Sequence, residues 1–373
     1  SCNCFRNLSI KKAAAAYLTA VLTFILLTEV SAQPIDCTPR LFDDRAISIN
    51  KPADVMQKRL EIIRAIWNEH TIPDRSEVIV TDNIRSPLHP HPAVGRVDRI
   101  EIPVPGIDAL RDLAYLFVPV SGNKRLVIYN PGHSCTLVDD DRHHSRHEAT
   151  VTGLIAAGFD VLVVFMPHVM ESPDPHCRFD HCKVINSDLV IPDPLPTWRL
   201  RLFLDPTIVA LNYVAKKHEY QRVDMVGLSG GGWTTNLVAA VDTRIRYSFN
   251  VAGSIPLYYR AGGSIGDIEQ YLFQFYHDTA GYPDLYVLGA FGAGRKQIQI
   301  LNRYDDCCFG QAQHDPAREY ASDMQLFARA VEATLDGLGQ KDHYYLMIDD
   351  TAPNHQISEQ ALTKVILQEL KAN

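Results

Sequence analysis

Short apolar runs alternate with longer stretches of helical period along most of the chain, and this pattern predicts the architecture. Three β-like runs come first, and after Lys124 single strands alternate with helices. Strands that alternate with helices indicate βαβ units and a parallel sheet, and the earlier runs are expected to form an antiparallel edge. The predicted strands are 77–81, 97–104, 113–120, 126–129, 161–165, 223–226, 247–251, 297–301 and 344–348. The predicted fold class is therefore α/β, with a mostly parallel central sheet flanked by helices.

Several predicted helices carry local start signals. Between residues 52 and 69, apolar side chains recur at i, i+4, i+7 and i+11, which is typical of an amphipathic helix packed on a larger body. Asp205 followed by Pro206 predicts a helix start, because Asp is a favoured N-cap and Pro is favoured at the first helical position. Ser358 is the predicted cap of the last helix.

The N-terminus predicts export. Residues 1–32 are interpreted as a secretory signal peptide, because three basic residues precede a long apolar stretch and small residues at 30–32 offer a cleavage site. An N-terminal membrane anchor is the alternative, since the apolar stretch is long for a signal. Residues 33–96 are predicted to be an N-terminal extension, and residues 97–373 a single catalytic domain with insertions at 166–197 and 253–284. The expected location is secreted or periplasmic.

The composition and charge of the chain limit the kinds of partner that it is expected to bind. The 373 residues are 46% hydrophobic and 21% charged, with a net charge of −8. These values are typical of a globular protein and exclude a disordered chain. Because no basic run is present, nucleic acid is not an expected partner. No further stretch is long and apolar enough to span a bilayer, so no membrane partner is expected once the signal is removed.

Cysteine usage agrees with export. Signal cleavage would leave cysteines at positions 37, 135, 177, 182, 307 and 308. An even number in an oxidising compartment favours disulfides, and Cys177 is predicted to pair locally with Cys182. A zinc knuckle that includes His176 and His181 is the alternative, but no second ligand pair follows at a matching interval. The pairing of Cys37, Cys135, Cys307 and Cys308 is left open.

The strongest chemical signal is the segment Gly227–Trp233, with sequence Gly-Leu-Ser-Gly-Gly-Gly-Trp, directly after a predicted strand. A G-x-S-x-G between a strand and a helix is a nucleophile elbow, in which glycines relieve crowding and the serine projects above the sheet edge. An ordinary loop or a phosphate-binding turn is the alternative. A phosphate loop would require a lysine after the glycines, and none follows. Ser229 is therefore the predicted nucleophile.

A serine nucleophile needs a base and an acid that orients the base. Asp305 and His355 each follow a predicted parallel strand, where an open α/β sheet collects its functional groups. Asp306 is adjacent to Asp305 and is the alternative acid.

The elbow and the order Ser, Asp, His make residues 97–373 resemble a secreted serine esterase of the α/β-hydrolase superfamily. The resemblance implies cleavage of carboxylic esters through an acyl-enzyme, on a small-molecule or polymer-borne substrate and without a cofactor. It also implies an oxyanion hole formed by Gly230 with His133 or Ser134, although Pro131-Gly132 replaces the usual His-Gly of that loop. The alternatives are a peptidase, thioesterase or acyltransferase with the same triad, or a non-catalytic binding protein on this scaffold.

The tyrosines and histidines of the chain allow predictions about the pocket lining and about metal binding. Tyr258, Tyr259, Tyr271 and Tyr276 are expected to line the pocket as apolar walls with polar tips. Histidines cluster at 89 and 91, at 143, 144 and 147, and at 176 and 181. Without matched carboxylate or cysteine spacing, they are interpreted as solvated or helix-surface residues, and no metal site is predicted.

Overall fold

A nine-stranded sheet runs through the centre of the fold. The computed structural model describes residues 35–105, 110–138, 145–167, 181–186, 196–260 and 265–372. The predicted signal peptide and Cys177, His143, His144 and His176 lie outside these residues. The strands are β1 (Ile79–Thr81), β2 (Val94–Pro103), β3 (Arg111–Pro119), β4 (Arg125–Asn130), β5 (Asp160–Val164), β6 (Arg222–Leu228), β7 (Ile245–Val251), β8 (Lys296–Asn302) and β9 (Tyr344–Asp349).

The sheet order is β1-β2-β3-β5-β4-β6-β7-β8-β9. Strands β1, β2 and β3 pair antiparallel with one another, and β3 pairs antiparallel with β5. All pairs from β5 to β9 across the sheet are parallel. The predicted α/β fold class, with its antiparallel edge and parallel centre, is therefore confirmed.

Helices cover the sheet. They are α1 (Pro52–Trp67), α2 (His147–Ala156), α3 (His181–Ile185), α4 (Arg201–Lys217), α5 (Gly230–Val241), α6 (Ile268–Tyr271), α7 (Phe273–Tyr276), α8 (Tyr282–Ala290), α9 (Tyr320–Gly337) and α10 (Leu367–Lys371), the last preceded by a π-helical turn at Ala361–Ile366. Short 3₁₀ turns lie at Pro196–Leu200, Leu257–Tyr259 and Gln311–Gln313. No helix among these described residues is long and apolar enough to cross a membrane.

The central strands are buried on both faces. Every residue of β5 is buried, as are the last five residues of β4 and of β6. Continuous apolar runs of this kind belong to parallel strands with helices on both sides. The core therefore lies directly beneath the carboxyl ends of β6, β8 and β9, where Ser229, Asp305 and His355 follow.

The N-terminal helix is an integral part of the fold. Helix α1 docks through Arg59, whose Nε donates to the carbonyl oxygen of Ala240 at 2.8 Å, and through Trp67, whose indole N–H donates to Asp205 at 2.7 Å. The prediction that Asp205 caps a helix is wrong, because α4 begins at Arg201 and contains Pro206. The Asp205 carboxylate instead binds Trp67 and Arg75, and thereby fixes α1 to α4.

The predicted Cys177–Cys182 disulfide is wrong. Cys182, on α3, is bonded to Cys37, with a Cα–Cα distance of 6.0 Å across 145 residues of sequence. Cys135 is also disulfide-bonded. The physical reason for the error is that Asn186 receives the Ile35 N–H at 2.7 Å and so draws the N-terminal segment to α3. The bond therefore joins the segment predicted to be an N-terminal extension to the segment predicted to be the first insertion.

Candidate active site

Ser229 occupies a strained turn between β6 and α5. Its φ is 61° and its ψ is −131°, a conformation that costs a residue with a side chain about 1–3 kcal/mol. The Ser229 N–H donates to Val251 at 3.0 Å, and its carbonyl accepts from the Trp233 N–H at 3.0 Å. The turn is therefore held by β7 on one side and by the first turn of α5 on the other. Ser229 stands at the positive end of that helix.

The loop after β4 packs directly against this turn. Gly132 has φ +68°, and a Cβ there would lie 2.5 Å from the Leu228 carbonyl oxygen and 3.0 Å from the Ser229 Cβ. A Cβ on Gly230 would lie 2.6 Å from the His133 ring. The structure thus brings the predicted donors Gly230 and His133 together beside Ser229. The Ser134 hydroxyl donates to the Thr136 carbonyl at 2.8 Å.

Asp305 and His355 meet across the loops after β8 and β9. His355 Nδ1 lies 2.7 Å from Asp305 Oδ2. The other oxygen, Oδ1, accepts the backbone N–H groups of Cys307 and Cys308, each at 2.8 Å. Asp305 is 1% exposed, whereas the adjacent Asp306 is exposed. Of the two candidate acids, Asp305 is therefore the one in contact with His355.

Asp305 also perturbs the imidazole. Burial opposes protonation of His355, but the hydrogen bond and charge of Asp305 outweigh it and raise the pKa of His355, with smaller contributions from Cys307 and Asp306. Nδ1 is engaged with the carboxylate, and Nε2 has no hydrogen-bond partner among the described residues. The Ser229 hydroxyl and His355 are consequently not hydrogen-bonded to each other. Nε2 is the atom left to take a proton.

Asn302 positions the loop that carries His355. This residue ends β8 and is 1% exposed. Its side-chain NH₂ donates to the carbonyl oxygens of Gln356 at 2.7 Å and Asn354 at 3.3 Å, which flank His355. No motif in the sequence marks Asn302 for this role.

Two cysteine thiols lie next to the Asp305–His355 pair. Cys307 and Cys308 offer sulfur atoms within 4.8 Å of each other and of a His355 ring nitrogen. The hydrogen bond with Cys308 lowers the pKa of Cys307 to about 7, against the effect of burial and with help from the charge of His355. The two thiols therefore lie directly beside the His355 imidazole.

Solved structures resemble this chain in fold. No protein-family model and no curated protein matches it. A promiscuous CE15 esterase from a marine bacterial metagenome is similar at 13% identity and TM-score 0.56, covering 90% of this chain and 97% of the other. A glucuronoyl esterase from Solibacter usitatus has 13% identity, TM-score 0.51, and coverage of 84% and 90%. A methylesterase has 13% identity and TM-score 0.54, and covers 85% of this chain, which spans only 62% of that protein.

The chain has the α/β-hydrolase fold. These likenesses, together with the nine-stranded sheet and the strand-to-helix turn at Ser229, settle the architecture.

The fold also contains a buried polar cluster that sequence reasoning missed. His181 Nδ1 lies 2.8 Å from Glu269 Oε2, and His133 Nε2 lies 3.2 Å from Asp267. Burial alone would raise the pKa of Glu269, but the charge of His181 and the interactions with His133 lower it to about 2. We call the four residues His133, His181, Asp267 and Glu269 the His–acid cluster.

The prediction that the clustered histidines are solvated or lie on helix surfaces is partly wrong, because some of them are buried. His181 is 5% exposed and His147 is 2% exposed, with the His147 ring 2.5 Å from the Tyr129 hydroxyl. His89 behaves as expected, since it is exposed and pairs with Glu148. No local motif marks Glu269, which stands near Asp267 and Gln270 in a mixed segment.

Most of the tyrosines that were predicted to line the pocket are buried in the core. Tyr276 and Tyr259 are each 2% exposed, and the Tyr276 hydroxyl accepts the Trp233 indole N–H at 2.6 Å. Tyr271 donates to the Cys37 carbonyl at 3.1 Å. Tyr258 alone is partly exposed, and Arg45 lies 3.5 Å from its ring centroid. Most of these tyrosines therefore anchor the second insertion.

Proposed function

We propose that this α/β-hydrolase cleaves carboxylic esters through a Ser229-His355-Asp305 triad and an acyl-enzyme intermediate. The observation that carries the proposal is a strained serine at the start of α5, at the same carboxyl edge of the sheet as the Asp305–His355 pair, whose Nε2 is unengaged. The named esterases among similar structures support the choice of reaction.

In the proposed first half-reaction, the Ser229 hydroxyl oxygen attacks the ester carbonyl carbon while His355 Nε2 takes the hydroxyl proton. Asp305 stabilises the resulting imidazolium through Nδ1. The Gly230 N–H, with a second donor from His133 or Ser134, stabilises the oxyanion. The tetrahedral intermediate collapses, the C–O bond breaks, and the alcohol leaves with the proton from His355.

In the second half-reaction, water attacks the acyl-enzyme. His355 takes a proton from the water, the acid is released, and Ser229 recovers its proton. No cofactor takes part in these steps.

The natural ester is a small-molecule or polymer-borne compound. Similar structures carry the names of glucuronoyl, methyl and promiscuous esterases, so a shared acyl or alcohol group does not follow from them. We further propose export to a secreted or periplasmic location, because the disulfide at Cys37 and Cys182 requires an oxidising compartment.

Ser229→Ala tests the proposal. We expect the variant to fold and to lose about 10⁶-fold in kcat on p-nitrophenyl esters, because a triad nucleophile is typically worth that much. Ser322→Ala, at an exposed serine of α9, is the matched control and should retain activity and fluorophosphonate labelling. A Ser229→Ala variant that keeps more than about a hundredth of wild-type kcat would refute the assignment. Thioesters and aminoacyl amides in the same panel would identify the alternative reactions.

A further inference from the structure

The His–acid cluster joins three segments that are remote in sequence. His133 lies in the loop after β4, His181 begins α3, and Asp267 and Glu269 belong to the N-cap and first turn of α6. One ligand atom from each of the four residues lies within 4.8 Å of the others. Two imidazoles and two carboxylates converge on one small volume.

Hydrogen bonding within the cluster leaves polar atoms unsatisfied. Glu269 is 0% exposed, and although its Oε2 contacts His181, its Oε1 has no hydrogen-bond partner among the described residues. Nε2 of His133 likewise has no hydrogen-bond partner among the described residues, and it lies 3.7 Å from Glu269 Oε1. Buried carboxylate oxygens are almost always paired, so an orphaned one indicates a missing ligand.

The charges of the two carboxylates also indicate a missing ligand. Asp267 and Glu269 both face His133, at 3.2 Å and 3.7 Å, and their carboxylates repel each other. A divalent cation between the two carboxylates would compensate both charges.

The spacing suits a tetrahedral ion. Ligand atoms about 2.0–2.1 Å from Zn²⁺ lie ~3.3 Å from one another. The contacts of 2.8, 3.2 and 3.7 Å within the cluster bracket that separation. The four ligand atoms all lie within 4.8 Å of one another, as ligands of one ion must.

We propose that His133, His181, Asp267 and Glu269 form a divalent-cation site whose preferred ion is Zn²⁺. Two imidazoles and two carboxylates complete a four-coordinate shell, and a closed shell is typical of a structural zinc site rather than a catalytic one. The half-exposed Asp267 gives the ion a route from solvent, since its side chain is 48% accessible.

The role of the ion is to fasten loops beside Ser229. It would tie the loop that carries His133 to the two insertions, and His133 contacts the Gly230 position directly. This inference rests on the cluster geometry and holds whether or not the protein is an esterase.

Metal content provides the first test. The full-length protein is purified from an oxidising compartment, dialysed against micromolar Zn²⁺, passed through a desalting column and measured by inductively coupled plasma mass spectrometry. We expect about one Zn²⁺ per chain in the wild type and less than about 0.1 in Glu269→Gln, because a lost ligand or its support weakens metal sites by about 100-fold or more. Wild-type protein with less than about 0.1 equivalent would overturn the proposal.

A second variant, at a less buried ligand, tests the site even if Glu269→Gln does not fold. Asp267→Asn changes a half-exposed group, and Asp278→Asn is its matched control, since Asp278 forms an exposed pair with His277 at 2.6 Å in the same insertion. Competition with a fluorescent zinc chelator should show weakened binding for Asp267→Asn and unchanged binding for Asp278→Asn. Equal affinity of Asp267→Asn and wild type, with folding verified by circular dichroism, would refute the site. Substitution with Co²⁺ should add the intense visible absorption of a tetrahedral ion, and a weak octahedral spectrum would contradict the proposed geometry.

Discussion

Removal of the Cys37–Cys182 disulfide should cost far more stability than a local bridge would. The bond closes a loop of 145 residues, for which the chain-entropy model gives about 5 kcal/mol at 25 °C. A bridge between neighbouring cysteines five or so residues apart would contribute only about 2 kcal/mol by the same relation. Measured losses usually fall below the model, so we expect about 2–4 kcal/mol for Cys37→Ser combined with Cys182→Ser.

Urea unfolding of the double variant and the wild type, both produced in an oxidising compartment, measures this difference. Cys308→Ser is a control for cysteine replacement, because Cys308 is a thiol outside any disulfide. We expect that control to lose clearly less stability than the double variant, because no covalent bond is removed.

Two results would refute the reasoning. A loss below about 1 kcal/mol would show that the bond does not restrict the unfolded chain as the model requires. Non-reducing peptide mapping that places Cys182 in a bond with any residue other than Cys37 would contradict the pairing itself. If hydrogen exchange shows that only residues near Cys37 open, the loss is local and the two-state value does not apply.

The remaining predictions concern Asp305 and His355. Asp305→Asn should lower kcat by about 10⁴-fold and Asp306→Asn by less than about tenfold, since only Asp305 contacts His355, and the opposite ranking in steady-state kinetics would transfer the role. The raised pKa of His355 keeps the imidazole protonated and inactive to higher pH, so kcat/KM should fall as pH drops through a midpoint above about 6.5. In Asp305→Asn the residual activity should show a lower midpoint, because burial then dominates, and an unchanged pH profile would contradict this origin of the shift.

The sheet could be predicted closely from the sequence because each strand is a local apolar run. The predicted strand at residues 126–129 is observed at Arg125–Asn130, and that at 344–348 is observed at Tyr344–Asp349. The candidate residues Ser229, Asp305 and His355 were likewise marked by motif or by position after a strand. Their catalytic roles stay predictions until they are tested.

The errors arise where a distant partner decides the outcome. Asp205 has every local property of an N-cap, yet Trp67 and Arg75 occupy its carboxylate. Cys182 has a neighbour five residues away in sequence, yet Cys37 is its partner across 145 residues. Glu269 carries no motif, because its partners come from segments around residues 133 and 181. Local patterns contain no information on such tertiary pairings.

The hydroxyl of Tyr276 limits how this protein could be re-engineered. It accepts the Trp233 indole N–H at 2.6 Å and donates to the Glu269 carbonyl at 3.1 Å, so it joins the helix behind Ser229 to the second insertion. A loop graft that exchanged residues 253–284 for another sequence would leave the Trp233 donor buried without an acceptor. Specificity is thus better altered by substitutions at exposed positions of the insertion than by transplanting it whole, and any graft should retain Tyr276 as a fixed point of attachment.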